Sequence, residues 1–251
     1  MLSATQAFRS PDLLDSYFNA SIPTTLYGFP AVISILGNKN LIPETVNAYE
    51  AEYRYKLSNR VNGKVGAFYN AYSDFIVSAN SSDPFNPLHV IESFTNAGKA
   101  ANIGGEFSIN ALLTDWLSGM LNYAYSQTED YSTDIVRQDS PKNTVNATLN
   151  ARFNNGISGF LGVQWVDSTV FDYENQPVVS QLINMNAYTI INARVGYAFP
   201  DKRTEVSLAA FNLFDQNVYE GLPGIGLVPA GQLPTGEELG RRVVAKVSYK
   251  F

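Results

Sequence analysis

The stretch GRRVVAKVSYKF, Gly240 to Phe251, decides how the rest of the chain is read. One parity holds Val243, Ala245, Val247, Tyr249 and Phe251, and the other holds Arg242, Val244, Lys246, Ser248 and Lys250. A period of two marks a strand with one apolar and one polar face. Chain ends usually fray into solvent, so an aromatic residue in last place predicts a strand end that is held.

Working outward, the alternation recurs. Segment 142–153 sets Val145, Ala147, Leu149, Ala151 and Phe153 against Lys142, Thr144, Asn146, Thr148, Asn150 and Arg152. Segment 46–57 sets Tyr49, Ala51, Tyr53, Tyr55 and Leu57 against Glu50, Glu52, Arg54 and Lys56. Segment 61–77 sets Val61, Val65, Ala67, Tyr69, Ala71, Phe75 and Val77 against Asn62, Lys64, Asn70 and Asp74. Less regular copies lie near 101–113, 117–127, 157–167, 187–199 and 203–213, and Leu2–Phe8 completes a set of about ten strands. Short connections at 58–60, 114–116, 154–156 and 200–202 alternate with long ones near 9–44, 78–99, 128–141, 168–186 and 214–238. Short turns at one end and long loops at the other are the layout of an antiparallel transmembrane β-barrel, with periplasmic turns and extracellular loops.

Composition agrees with an all-β fold in a membrane. The 251 residues are 45% apolar and 13% aromatic but only 16% charged, against about 25% charged in soluble domains. A net charge of −6 without a basic block argues against nucleic acid as a partner. Cysteine is absent, which excludes disulfides, thiolate metal sites and a cysteine nucleophile. No apolar run approaches the length of a membrane helix. The first residues, MLSATQAFRSPDLLDS, lack the pattern of a signal peptide.

The polar faces carry Asn, Gly, Ser and Thr more than Lys and Glu, as in Asn102, Gly104, Glu106, Ser108 and Asn110, which suits a wet lumen. The apolar faces end on rings: Tyr55, Tyr125, Phe153, Trp165, Phe199, Tyr249 and Phe251. Rings at strand ends form the interfacial girdles of a membrane barrel. Phe251 is then the last girdle residue of the closing strand.

Several stretches resemble the TonB-dependent receptors of Gram-negative outer membranes. AFRSPDL (7–13) followed by GNKNLIPETVNAYEAEYRYKL (37–57) is similar to that family's "FRAP … GNPNLKPE" region. NAGKAANIGGEFSI (96–109) is similar to its "N-x-G-x-A-x-x-x-G-x-E" strand, NLFDQNVYEG (212–221) to its "NLFDKxY" segment, and GRRVVAKVSYKF to its ending. The four occur in the family's order. The family joins a plug to a barrel of about 22 strands, so the resemblance implies that 1–251 is the C-terminal portion of such a barrel, without the plug and the earlier strands.

The resemblance further implies TonB-energised uptake of a scarce nutrient, most often a ferric siderophore, with no cofactor and no catalysis. Implied partners are outer-membrane lipid, the missing plug and N-terminal strands, the TonB complex acting through that plug, and the barrel-assembly machinery acting through the C-terminal strand. A self-contained small barrel serving as pore or adhesin is the alternative.

Individual residues add less. His89, the single histidine, reads as a solvated loop residue, with no nucleophile motif near it. Haem-binding relatives carry a histidine in the first loop, and 12–37 has none. Glu129, Asp130, Asp134, Asp139, Asp167, Asp172 and Glu174 follow no calcium-loop spacing. Tyr131, Phe171 and Tyr173 lie where the family recruits its ligands and are the candidate ligand contacts.

Overall fold

The computed structural model describes the chain apart from residues 27, 132–134, 177, 178, 202 and 221–236, and describes no side chains at 135, 171–183, 219, 220, 237 and 238. It opens with β1 (Leu2–Arg9), the short helix α1 (Leu13–Tyr17), β2 (Asn19–Leu26), β3 (Phe29–Leu36) and β4 (Glu44–Lys56). Then come β5 (Val61–Asp83), β6 (Asn86–Leu112), β7 (Leu117–Asp130), β8 (Ile135–Val136), β9 (Asn143–Arg152) and β10 (Ile157–Val166). The remainder comprises β11 (Thr169–Gln176), β12 (Val179–Met185), β13 (Tyr188–Ala198), β14 (Thr204–Phe211), β15 (Tyr219–Glu220), β16 (Glu237–Glu238) and β17 (Arg242–Tyr249).

The main sheet runs β1-β4-β5-β6-β7-β9-β10-β13-β14-β17. Each of the ten strands expected from alternation has its counterpart in that order. Contacts group the residues into two units. The first is Met1–Ala51, Phe68–Ile103 and Gln127–Arg137; the second is Glu52–Ala67, Gly104–Ser126 and Gln138–Phe251.

In the second unit the registers show why alternation specifies the fold. Leu117 faces Ala151, which faces Gly159, and the row continues through Val195, Leu208 and Ala245. One residue along, the opposite face holds Asn122, Asn146 and Gln164 in line, and Gly196, Ser207 and Lys246 in line. A slip of one residue would exchange these faces on that strand.

Among the described residues, large apolar side chains of this face stand exposed. Leu208 is 50% exposed and Val247 73%. Among the described residues the buried apolar side chains are Leu26, Ala31, Ala100, Ala101, Val166 and Val218, too few and too small for a soluble core. An apolar surface of this extent requires a bilayer.

In the first unit the structure corrects three readings. The expected long connection near 78–99 is strand: β5 and β6 run on to a tight turn at Pro84 and Phe85, where proline suits a turn position. His89 therefore lies in β6. The connection 9–44 is also ordered. Asp12 caps α1, its Oδ1 accepting from Asp15 N at 2.7 Å, and β2 pairs with β3 from Asn19↔Leu36 to Leu26↔Phe29. β3 then joins β6 in parallel, from Val32↔His89 to Leu36↔Ser93. In the second unit, connection 168–186 contains the hairpin of β11 and β12.

The third correction concerns Phe75 and Val77, expected on the same face as Tyr69. Asp74 takes φ 58°, a left-handed conformation that shifts the alternation by one. Phe75 thereby stacks on Tyr72, with ring centroids 5.4 Å apart and planes at 15°. Gly98 makes the room, since a Cβ there would lie 2.4 Å from Phe75 Cβ.

Candidate functional site

The motif-like stretches around Arg9, Asn38 to Glu44 and Asn96 lie together in the first unit, where their polar side chains act as fastenings. Glu44, 7% exposed, accepts Arg9 Nε at 2.5 Å, Arg9 Nη2 at 2.8 Å and the backbone N–H of Ile76 at 2.9 Å. Asn96 Oδ1 accepts from Ile42 N, and its Nδ2 donates to Ile42 O, each at 2.9 Å. The same Nδ2 also donates to Asp74 O at 2.8 Å. That bond holds the residue whose left-handed backbone turns Phe75. Asn38 Nδ2 donates to Phe94 O at 2.9 Å.

These side chains bond backbone groups of Ile42, between strands, and of Asp74, Ile76 and Phe94, within β5 and β6. Through Asp74 and Ile76 they hold the stretch that carries the stacked Tyr72 and Phe75. Asn212 performs the same task in the second unit, its Nδ2 donating to Gln216 O and to Leu239 O, both at 2.8 Å.

His89 is no solvated loop residue. Its Nε2 lies 2.8 Å from Ser34 Oγ, and its Nδ1 lies 3.2 Å from Asp83 Oδ2. Ser34 Oγ is also 3.0 Å from Ser21 Oγ. The distances match those of nucleophile, base and orienting carboxylate. The surroundings do not: Ser34 is 7% exposed and sits between Ser21 on β2 and Ile91 on β6 in the ladders. The chain of hydroxyls, imidazole and carboxylate pins the β2–β3 hairpin to β6.

Asp83 is held below the usual carboxylate range, first by the backbone N–H of Phe85 and then by His89. A depressed carboxylate stabilises above its unfolded pKa, and the contribution is lost as pH falls through the folded value. Wild type and Asp83→Asn should thus differ in the mobility of a spin label at Ser81 at neutral pH and converge as pH falls well below ~4. A constant difference down to pH ~2 would remove Asp83 from the pin.

The candidate ligand contacts are placed as follows. Tyr131 donates its backbone N–H to Lys99 O at 2.8 Å. Its half-exposed side chain is hydrogen-bonded to Tyr69, which stacks on Tyr49 with centroids 6.5 Å apart. The backbones of Phe171 and Tyr173 lie in β11, facing Ile183 and Gln181, and their side chains lie outside the described residues. Of the loop carboxylates, Asp167 is tied to Asn143 Nδ2 at 2.7 Å, Asp134 lies outside the described residues, and so do the side chains of Asp172 and Glu174.

In the second unit the polar face carries paired charges. Lys64 Nζ lies 3.1 Å from Glu106 and 3.8 Å from Glu52, which in turn accepts Arg54 Nε at 2.6 Å. Arg194 pairs with Glu205. A recess of about 340 Å³ lies among Lys64, Glu106, Asn122, Thr144 and Asn146. It can hold water or a polar chain.

Four of the expected girdle rings, Phe153, Phe199, Tyr249 and Phe251, lie in ring pairs at the end of the sheet that carries the short turns. Phe153 stacks on Trp116 at 4.9 Å, and Phe199 and Phe251 meet Tyr197 and Tyr249 edge-on at 5.0 and 5.2 Å. Tyr55 donates to Ser108 O at 3.4 Å, and Trp165 faces Val145 and Thr189. Tyr125 faces Asn143.

Comparison with known proteins accords with this layout. The chain is 26% identical over 198 residues to the iron-regulated outer membrane virulence protein of Vibrio cholerae, a match covering 74% of this chain and 29% of that protein. The ferric enterobactin receptor PfeA of Pseudomonas aeruginosa superposes with a TM-score of 0.76 at 21% identity. The siderophore receptor PirA of Acinetobacter baumannii superposes with 0.74 at 19%. All of this chain but only 38% of each of those two structures is covered, so it spans well under half the length of the proteins it matches. Identities this low establish the fold alone. The family's β-barrel model, described as TonB dependent receptor-like, matches residues 1–213. This is a family of outer-membrane receptors and transporters rather than enzymes, and the exposed apolar face together with the pinned motifs and that match shows that the chain belongs to the TonB-dependent receptor family, within its β-barrel.

Proposed function

We propose that residues 1–251 act as the C-terminal portion of a receptor barrel that takes up a ferric siderophore under TonB drive. The observation that carries this reading is the shelf of Tyr72 and Phe75, locked by Asn96 and Glu44. Preorganised rings of this kind suit a ligand that itself carries rings, as catecholate siderophores do, because offset aromatic stacking adds to burial. The iron-regulated relative and the two siderophore receptors support this choice of ligand class. Tyr131, Phe171 and Tyr173 are further candidate contacts.

In this reading a plug and the preceding strands complete the barrel, and the paired charges around Lys64 face that plug. Phe251 and its strand engage the assembly machinery. Tyr55, Tyr125, Phe153, Trp165, Phe199, Tyr249 and Phe251 form the girdle.

The test titrates outer membranes carrying the protein with ferric enterobactin, a ferric trihydroxamate and cyanocobalamin, following quenching of intrinsic fluorescence. Saturable quenching by the ferric catecholate is expected, and Tyr72→Ala or Phe75→Ala should weaken it about tenfold, equivalent to ~1.4 kcal/mol. Preference for cyanocobalamin would overturn the ligand class. Conductance in planar bilayers without binding of any of the three would favour the small pore.

A further inference from the structure

The apolar face of the second unit is not smooth. A groove of about 350 Å³ runs across β6, β7, β9 and β10, walled by Leu113, Leu121, Leu149 and Leu161 with Gly119 and Ala147 between them. Leu121 faces Ala147, and Gly119 faces Leu149. A Cβ at Gly119 would stand 3.1 Å from Leu149 Cδ2 and 3.7 Å from Leu113 Cδ1, so the groove exists because that residue is glycine. It is continuous with the exposed apolar band, and so with the surface that meets the bilayer.

One end of the groove is chemically marked. Trp116 lies three residues from Gly119, about 10 Å at the rise of a strand, and stacks on Phe153. Beyond it, Arg60 Nη2 meets Asp115 Oδ1 at 2.5 Å, and both side chains are exposed, at 51% and 86%. Leu112 N donates to Arg60 O at 2.7 Å, which brings this ion pair next to Leu113. An apolar channel thus leads past an interfacial ring to a cation and an anion side by side, and a zwitterionic glycerophospholipid has the same sequence of parts.

We propose that the groove binds one acyl chain of a phosphoethanolamine lipid, its phosphate toward Arg60 and its ammonium toward Asp115. The inference rests on the assignment of the apolar face and is independent of the ligand proposed above. Lipid tails are as apolar as leucine, so hydrophobic transfer supplies no preference. Selectivity comes from shape and from the charged ends. The site should accordingly be enriched rather than tightly occupied, by roughly threefold, as expected of exposed charge pairs.

The intact receptor that carries these strands would be folded into vesicles of phosphatidylethanolamine and phosphatidylglycerol containing a trace of either lipid with a diazirine on one acyl chain. After illumination, labelled peptides are mapped by mass spectrometry. Labelling at 113–121 and 147–149 should exceed that around Leu208, Val243 and Val247 roughly threefold with the ethanolamine probe, and less with the glycerol probe. Gly119→Val should remove the excess while leaving labelling elsewhere unchanged. Even labelling across the face, or an excess that survives Gly119→Val, would overturn the groove. Should that variant not insert, the two probes on the wild-type chain still decide: equal enrichment with both would overturn the head-group assignment.

Discussion

Leu149→Arg should destabilise the protein in bilayers by about 2–4 kcal/mol, whereas Asn150→Arg should be nearly silent. The two positions are adjacent in β9 and differ only in the face they occupy. Leu149 lies opposite Gly119 on one side and Leu161 on the other, and Leu149 and Leu161 are both exposed. Asn150 lies between Ser118 and Phe160 on the face that carries the paired charges. A guanidinium at 149 must thin the bilayer or draw water to itself, while one at 150 meets a polar, solvated surface. Urea titration of the intact receptor carrying each substitution, folded into vesicles, measures both effects. Equal destabilisation, or the reverse order, would contradict the membrane assignment of the apolar face.

That contrast shows which part of the structure alternation makes legible. Where the chain keeps a strict period of two, as in β9 and β17, the residue types alone identify the face, because a strand in hydrocarbon tolerates no other arrangement. The same logic misplaced Phe75 and Val77, since one left-handed residue is enough to invert a strand beyond it. Aspartate enters that conformation more readily than most residues, but its neighbours in sequence do not announce that it does so here. The 78–99 stretch misled for a related reason. Asn, Ser, Pro and Asp are turn formers, and most of them here decorate a hairpin whose actual turn is only Pro84 and Phe85.

The site was less legible than the fold because its parts are far apart in the chain. Arg9, Glu44 and Ile76 share one hydrogen-bond network, and Asn96 reaches both Ile42 and Asp74. Read singly, the motif residues could be ligand contacts; in three dimensions they satisfy backbone and one another. The pair they support, Tyr72 and Phe75, carries no motif. His89 is similar: nothing beside it in sequence points to Ser34, which a parallel strand pairing brings within hydrogen-bonding distance.

The strongest test of this fastening is Glu44. Its side chain is 8% exposed and holds three donors, two from Arg9 and one from Ile76. Arg9 is 67% exposed, so water can replace the carboxylate around it at little cost. Ile76 N–H lies next to the left-handed turn and would lose its acceptor, at about 1–3 kcal/mol for a buried group. Glu44→Gln retains an oxygen for Ile76 N and Arg9 Nη2 and loses the charge and the bond from Arg9 Nε, a group that water can solvate, so it should be clearly milder than Glu44→Ala. The difference should appear twice. Glu44→Ala should lower the urea midpoint, and it should speed proteolysis within 68–83, the stretch that contains Asp74 and Phe75, while Glu44→Gln leaves that cleavage near the wild-type rate. Ligand binding through the aromatic shelf should fall with Glu44→Ala even though Glu44 makes no ligand contact itself, because Phe75 then has no fixed backbone from which to stack. If Gln and Ala are equally damaging, the negative charge rather than the Ile76 hydrogen bond holds the segment, and the shelf is positioned by the ion pair with Arg9.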